Sequence, residues 1–253
     1  MRAVVLFPIV LGATLAQGDV FVIDGITFAV ASDSLFVPIK DVGQALGWEM
    51  RSEDGAFFVG DRKITVPKTL PDGTRLVPLS SLRHLGLTVT GELPEINVTD
   101  GSRELIVRRA EKRVEISKSQ QKLRAYQGDR LVIETHISTG KRGHTTPSGS
   151  WKAGPEKSKM RYSRKYDNSP MPWSVQIVGD VFMHGYRSVP KRPASHGCIR
   201  LPLTGINPAK FIWEWIDLGT PITIDTHWSN TKPAAKGKKS GPETIPVSEP
   251  PTN

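Results

Sequence analysis

Cys198 is the one cysteine in 253 residues; His196 lies two positions before it, and His184 twelve positions before His196. A thiol attacks a carbonyl carbon only once its proton has been removed, and an imidazole within hydrogen-bonding reach is the usual means. His184 is the better candidate base. Gly197 permits a tight bend just ahead of the sulfur, and such a bend can turn the main-chain N–H groups of His196, Gly197 and Cys198 toward one point, an oxyanion hole. The same three side chains are also of types that hold zinc or copper, but ligation and thiolate attack compete for the same lone pairs. The glycine beside the cysteine favours catalysis over a metal site.

These residues need a scaffold. Residues 174–178 and 181–184 are apolar runs around Gly179-Asp180, a hairpin that would deliver His184 at a strand end. Upstream, 113–116, 123–126 and 131–138 alternate as strands of a β-meander, with 127–130 turning between the last two. A Gly, Thr and Pro loop follows at 139–149. Residues 151–168 are polar and basic with weak periodicity and read as a long surface excursion. Downstream, Asn207 caps a helix with Pro208 in its first turn; Phe211, Ile212, Trp215 and Ile216 form its core stripe, and Gly219 is its expected end. Trp213 reads as packing rather than sugar binding.

The stretch Ser195-His196-Gly197-Cys198-Ile199-Arg200-Leu201, with the His184-Gly185 pair before it, resembles the signature of the L,D-transpeptidases, bacterial cell-wall enzymes. Thr146-Pro147-Ser148-Gly149 is similar to that family's Thr-Pro-x-Gly segment, and 218–224 to its closing strand. The resemblance covers about 113–225 and implies a mainly β fold with short helices, its catalytic domain a β-sandwich. It implies a Cys198 thioester formed on a peptidoglycan stem peptide, with His184 as base and a main-chain carbonyl near Gly185 orienting the imidazole. The acyl group would pass to an amine acceptor, cross-linking the wall, or to water, giving a carboxypeptidase. A non-catalytic wall-binding protein that retains the signature is the third alternative. The resemblance further implies carbapenem-type β-lactams as inhibitors and no need of a metal or organic cofactor. Arg200 would pair with a substrate carboxylate or brace the loop, His196 would assist the oxyanion site or hold the loop, and Ser195 and Tyr186 are expected at the substrate. Met171 and Trp173 match donor-cleft positions or else pack in the core. Tyr186 departs from the Thr or Ser common after His-Gly, and Lys191-Arg192-Pro193 stands where a glycine is often seen.

Composition bounds the rest. With 38% hydrophobic and 23% charged residues the chain is an ordinary globular one, and its net charge of +9 is uneven: 141–200 holds twelve Lys and Arg against Glu156, Asp167 and Asp180. That field suits a carboxylate-bearing peptide or polyanionic wall, or is a solvated face. Without stacking aromatics in a recognisable module, nucleic acid is not expected. Residues 1–18 read as a signal peptide, which predicts export to the periplasm or cell envelope and no transmembrane segment after cleavage. Between 19 and 110, two apolar runs around Asp24-Gly25 predict a hairpin. Val37-Pro38-Ile39 and Val77-Pro78-Leu79 each lead through a short helix to Leu-Gly, a weak repeat. This small α+β domain of two repeats is similar to the stalk-like domain at the N-terminus of copper amine oxidases, although His84, its one histidine, implies no copper. It would bind wall, act as a spacer or simply position its neighbour. The catalytic domain is expected at 111–225, and 226–253, basic with five prolines, as a disordered tail.

Overall fold

The computed structural model describes residues 19–53, 56–228 and 243–246, so the expected signal and most of the expected tail lie outside the described residues. The chain divides into two compact units, one of 1–26, 33–110 and 236–253, the other of 27–32 and 111–235. Both are mainly β, and no described helix is long and apolar enough to cross a membrane.

The first unit contains β1 (Asp19–Phe28), β2 (Ala31–Pro38), α1 (Ile39–Leu46), β3 (Met50–Glu53), β4 (Ala56–Val59), β5 (Arg62–Ile64), β6 (Lys68–Thr69), β7 (Arg75–Pro78), β8 (Thr88–Glu92), β9 (Glu95–Thr99) and β10 (Glu104–Arg109). Its main sheet runs β6-β7-β2-β1-β10-β9-β8, and β3-β4-β5 is separate. The repeat is present as strand, proline, helix and glycine stop. α1 ends on Gly47 (φ +64°) and a 3-10 helix, Leu79–Leu85, ends on Gly86 (φ +90°), both in the left-handed region where glycine is favoured. Asp24-Gly25 is not a turn: β1 runs straight through it and the chain reverses at 29–30. A Cβ on Gly25 would lie 2.6 Å from Leu35 Cδ1, so the glycine marks a close approach between strands rather than a reversal.

In the second unit, β11 (Lys112–Ser117), β12 (Lys122–Gln127), β13 (Arg130–His136), β14 (Gly149–Lys152) and β19 (Pro221–Asp225) form one sheet in the order β13-β12-β11-β19-β14. The other sheet runs β15-β16-β17-β18: Lys157–Ser163, Ser169–Val178, Val181–Tyr186 and Ile199–Pro202. Alternation sets which face is core. In β19, Ile222 and Ile224 are fully buried while Pro221, Thr223 and Asp225 are exposed, and each such isoleucine contributes about 1.5–3 kcal/mol. α2 (Pro208–Trp215) packs on β16, β17 and β18.

Three expectations change here. The excursion 151–168 contains β15, which pairs with β16 through a tip at 164–168; its exposed faces, including Met160 and Tyr162, hide the period of a strand. α2 starts as expected, Asn207 Oδ1 accepting from Lys210 N at 3.1 Å, but ends at Trp215 rather than Gly219. The Lys112 ammonium donates to the Trp215 carbonyl at 2.6 Å and that of Lys157 to the Ile216 carbonyl at 2.8 Å, so cations satisfy the helix end. Within the expected disordered tail, β20 (Glu243–Pro246) lies antiparallel to β1.

Candidate active site

β17 and β18 lie side by side and parallel, Met183 opposite Ile199 and His184 opposite Arg200. Met183 and Ile199 are fully buried, so their neighbours His184 and Arg200 point to the other face of the sheet. Cys198, one residue ahead of β18, shares the parity of Arg200. Cys198 and His184 therefore reach the same face from adjacent strands. α2 covers the opposite face: a Cβ on Gly185 would lie 2.3 Å from Leu203 Cδ2 and 3.2 Å from Ala209 Cβ, which leaves room there only for glycine.

His184 is buried, and its Nδ1 bonds the carbonyl oxygen of Gly185 at 3.0 Å. A carbonyl only accepts, so Nδ1 carries the proton and Nε2 the lone pair. Burial pulls the imidazole pKa down to about 4; the Gly185 bond opposes this and the Arg200 charge adds to it. The ring is thus a neutral base throughout the ordinary pH range. Burial pushes the Cys198 thiol up, opposed by the Phe182 main-chain N–H and then by the Arg200 charge; the Asp180 carboxylate adds to the rise and Arg161 opposes it. Sγ donates to the Asp180 carbonyl at 3.5 Å, and among the described residues no hydrogen bond joins it to the imidazole. The resting pair is thiol and neutral imidazole, not an ion pair.

The loop before the sulfur is held from beneath. Gly197 has φ +120°, and its N–H is taken by Ser195 Oγ at 3.1 Å. Among the described residues the N–H groups of His196 and Cys198 have no such partner, so two of the three N–H groups expected to face an oxyanion remain available. Ser195, expected at the substrate, is buried, and its hydroxyl donates to the Cys198 carbonyl. Thr146 Oγ1 donates to the Gly197 carbonyl at 2.7 Å and accepts from Gly140 N at 2.9 Å. Gln121 bonds Thr139 twice, at 2.7 and 2.9 Å, and the Thr139 carbonyl accepts from Ala194 N and Ser195 N. Ser138 and Arg200 exchange main-chain hydrogen bonds at 2.9 and 3.1 Å. Gln121, Ser138 and Thr139 are supporting residues that sequence reasoning missed; their one signal is polarity in a stretch that folds into the core.

A Cβ on Gly140 would lie 1.9 Å from the His144 carbonyl oxygen, a main-chain atom that cannot step aside alone. Gly140→Ala is expected to dislodge the 139–146 loop, lower the thermal midpoint by several degrees and slow alkylation of Cys198. Differential scanning fluorimetry and a timed thiol-labelling assay check this.

The remaining expected site residues divide. The exposed His196 ring stacks on Tyr166 at 4.8 Å and meets His144 edge-on at 4.9 Å, so it joins the loop before Cys198 to the β15–β16 tip. Tyr186 lies edge-on to His184 at 6.1 Å, with the Arg200 guanidinium 4.0 Å from its ring centroid. Among the described residues Arg200 has no carboxylate partner. Met171 is buried, opposite Arg161 of β15. Trp173 is on the α2 side, 5.4 Å from the Trp213 ring, away from His184. Among the described residues no three His, Cys, Asp or Glu side chains gather to hold a metal ion.

The YkuD family model, an L,D-transpeptidase catalytic domain, matches residues 111–224. No curated protein matches the chain. Among solved structures, the L,D-transpeptidase (Yku) of Stackebrandtia nassauensis is 26% identical over 46% of this chain and 55% of its own, with a TM-score of 0.41. That of Xylanimonas cellulosilytica (residues 123–326) is 27% identical over 46% and 61%, TM-score 0.39. The catalytic domain of the E. faecium L,D-transpeptidase, acylated by ertapenem, is 22% identical over 46% and 98%, TM-score 0.37. The chain spans 55% and 61% of the first two structures' length. The matched stretch contains the cysteine, the buried histidine and the loops that brace them, and residues 111–224 are an L,D-transpeptidase catalytic domain of the YkuD family.

Proposed function

We propose that the protein is a peptidoglycan L,D-transpeptidase with Cys198 as nucleophile. One observation carries the reading: a buried, neutral His184, with Nδ1 fixed on the Gly185 carbonyl, presents a bare Nε2 on the face that also holds the Cys198 thiol. The thiol leaves the Asp180 carbonyl for Nε2, and sulfur bonds to the carbonyl carbon of the donor amide as its proton passes to His184. The oxyanion is held by the His196 and Cys198 N–H groups, each worth about 3 kcal/mol. When the C–N bond breaks, His184 returns the proton to the departing D-amino acid, leaving a thioester. The amine of a second stem peptide then attacks the thioester, losing its proton to His184, and the thiol is regenerated with a cross-link formed. Export to the periplasm or cell envelope, and a spacer or wall-binding role for 19–110, belong to the same proposal.

Incubation with purified disaccharide-tetrapeptide, followed by mass spectrometry, tests it. Released D-amino acid together with cross-linked dimers is the expected result, release without dimers would make the enzyme a carboxypeptidase, and no release would end the reading. Carbapenems are expected to acylate Cys198, because a strained β-lactam carbonyl offers the thiol the same attack. Ring opening retains every atom, so intact-protein mass should rise by the full mass of the drug.

A further inference from the structure

Arg161 lies beside the nucleophile and has no part in the steps above. It stands on β15, opposite Met171, with its guanidinium 4.3 Å from the centroid of the Phe182 ring. Phe182 and Cys198 are the residues immediately ahead of the Met183–Ile199 pair in the two parallel strands. The Arg161 guanidinium is therefore level with the sulfur, although its backbone, opposite Met171, is four residues along β16 from Val175, the partner of Met183.

Strict alternation along β15 would turn Arg161 away from this face. Lys157, four residues earlier and of the same parity, is on the α2 side, where it bonds the Ile216 carbonyl and covers the Trp213 ring at 4.9 Å. Trp173 breaks the alternation. Its φ is +55°, a strained conformation for a bulky residue, and the Lys159–Trp173 pairing is missing from a register that otherwise runs from Lys157–Val175 to Ser163–Ser169. Beyond that break Arg161 reaches Phe182.

Substrate polarity follows from the base. His184 protonates the departing amine, and it lies one step along the strands from Cys198, toward Arg200 and Tyr186. The leaving residue extends that way. The acyl half of the donor extends the other way, past Phe182 to the guanidinium of Arg161. The guanidinium now pairs with Glu156, but the two side chains are 34% and 52% exposed, and such a pair contributes little. A substrate carboxylate bound bidentately can take its place.

We infer that Arg161 is a specificity-determining residue that pairs with a carboxylate on the side chain of the donor's acyl-side residue. Stem peptides whose acyl-side residue carries a free side-chain carboxylate are then preferred over those in which that group is amidated or missing. This rests on the proposed transpeptidase reading.

The test uses two synthetic tetrapeptide donors that differ only in carboxylate against carboxamide at that side chain, with D-amino acid release as the readout. Wild type is expected to turn over the carboxylate donor with kcat/KM about tenfold higher, mainly through KM. Arg161→Gln should remove the preference by losing the carboxylate donor alone, and Arg161→Lys should restore part of it. Glu156→Gln, which frees the guanidinium, should lower KM for the carboxylate donor, an effect that a purely structural role for Arg161 would not give. Equal losses with both donors in Arg161→Gln, or no preference in wild type, would overturn the assignment. Release from neither donor by wild type would instead defeat the transpeptidase reading and this inference with it.

Discussion

Cys198→Ala is expected to abolish D-amino acid release and carbapenem adducts, a loss on the order of 10^6-fold if the nucleophile and its base act as a unit. The partly buried sulfur makes one long bond, to the Asp180 carbonyl at 3.5 Å, and a weak contact with the Phe182 N–H, so its removal should leave the thermal midpoint within a few degrees of wild type. Cys198→Ser is expected to be nearly as inactive, although it keeps a nucleophilic atom in place. The base has a pKa of about 4, and the thiol is already pushed up by burial. Proton transfer from sulfur is uphill at rest, and a hydroxyl, a weaker acid than a thiol, would make it steeper. Intact-protein mass after incubation with a carbapenem reads both variants directly. A serine variant that acylates at a rate close to wild type would show that His184 is not limiting.

The mainly β architecture is legible in the sequence because its strands alternate over stretches long enough to count, as in 113–116 and 123–126, and because Asn207-Pro208 announces a helix start. The candidate chemistry is legible because 184–200 places an imidazole, a glycine bend and the one cysteine in one contiguous run. What stays hidden depends on distant partners. Thr146 is an ordinary loop residue until its hydroxyl meets the Gly197 carbonyl, and Gln121 is a surface-type residue until it meets Thr139. Ser195, adjacent to the signature's histidine, looks substrate-facing, but the curl at Gly197 brings its hydroxyl back to Gly197 N and the Cys198 carbonyl. Asp24-Gly25 carries a turn's composition inside a strand because Leu35 needs the missing Cβ. Trp173 gives no local hint of a positive φ, and the gap it leaves in the β15–β16 ladder falls between Lys157 and Arg161.

His184→Gln is the second large effect, and it has two readouts with one cause. Loss of the general base should slow acylation of Cys198 by about 10^2–10^4-fold, since glutamine can hold the Gly185 carbonyl but cannot take a proton. In wild type the acid limb of the acylation rate should fall near pH 4 rather than near 6.5, because burial lowers the imidazole that far. The same depression acts on stability. Above about pH 6.5 neither the folded nor the unfolded chain protonates this ring. As the pH falls below 6.5 the unfolded chain takes up the proton while the folded one does not until about pH 4, so the unfolded state gains ground across that window. The difference amounts to about 3 kcal/mol of unfolding free energy, present in full above pH 6.5 and lost by pH 4. His184→Gln has no proton to take up, so its stability should be flatter between those limits, while His196, which remains, contributes equally to both proteins. Urea unfolding of the two proteins at pH 7 and at pH 4.5 measures this. Parallel declines would mean that the ring is hydrated rather than buried, and a base open to water would move the acid limb of the rate back toward 6.5 as well.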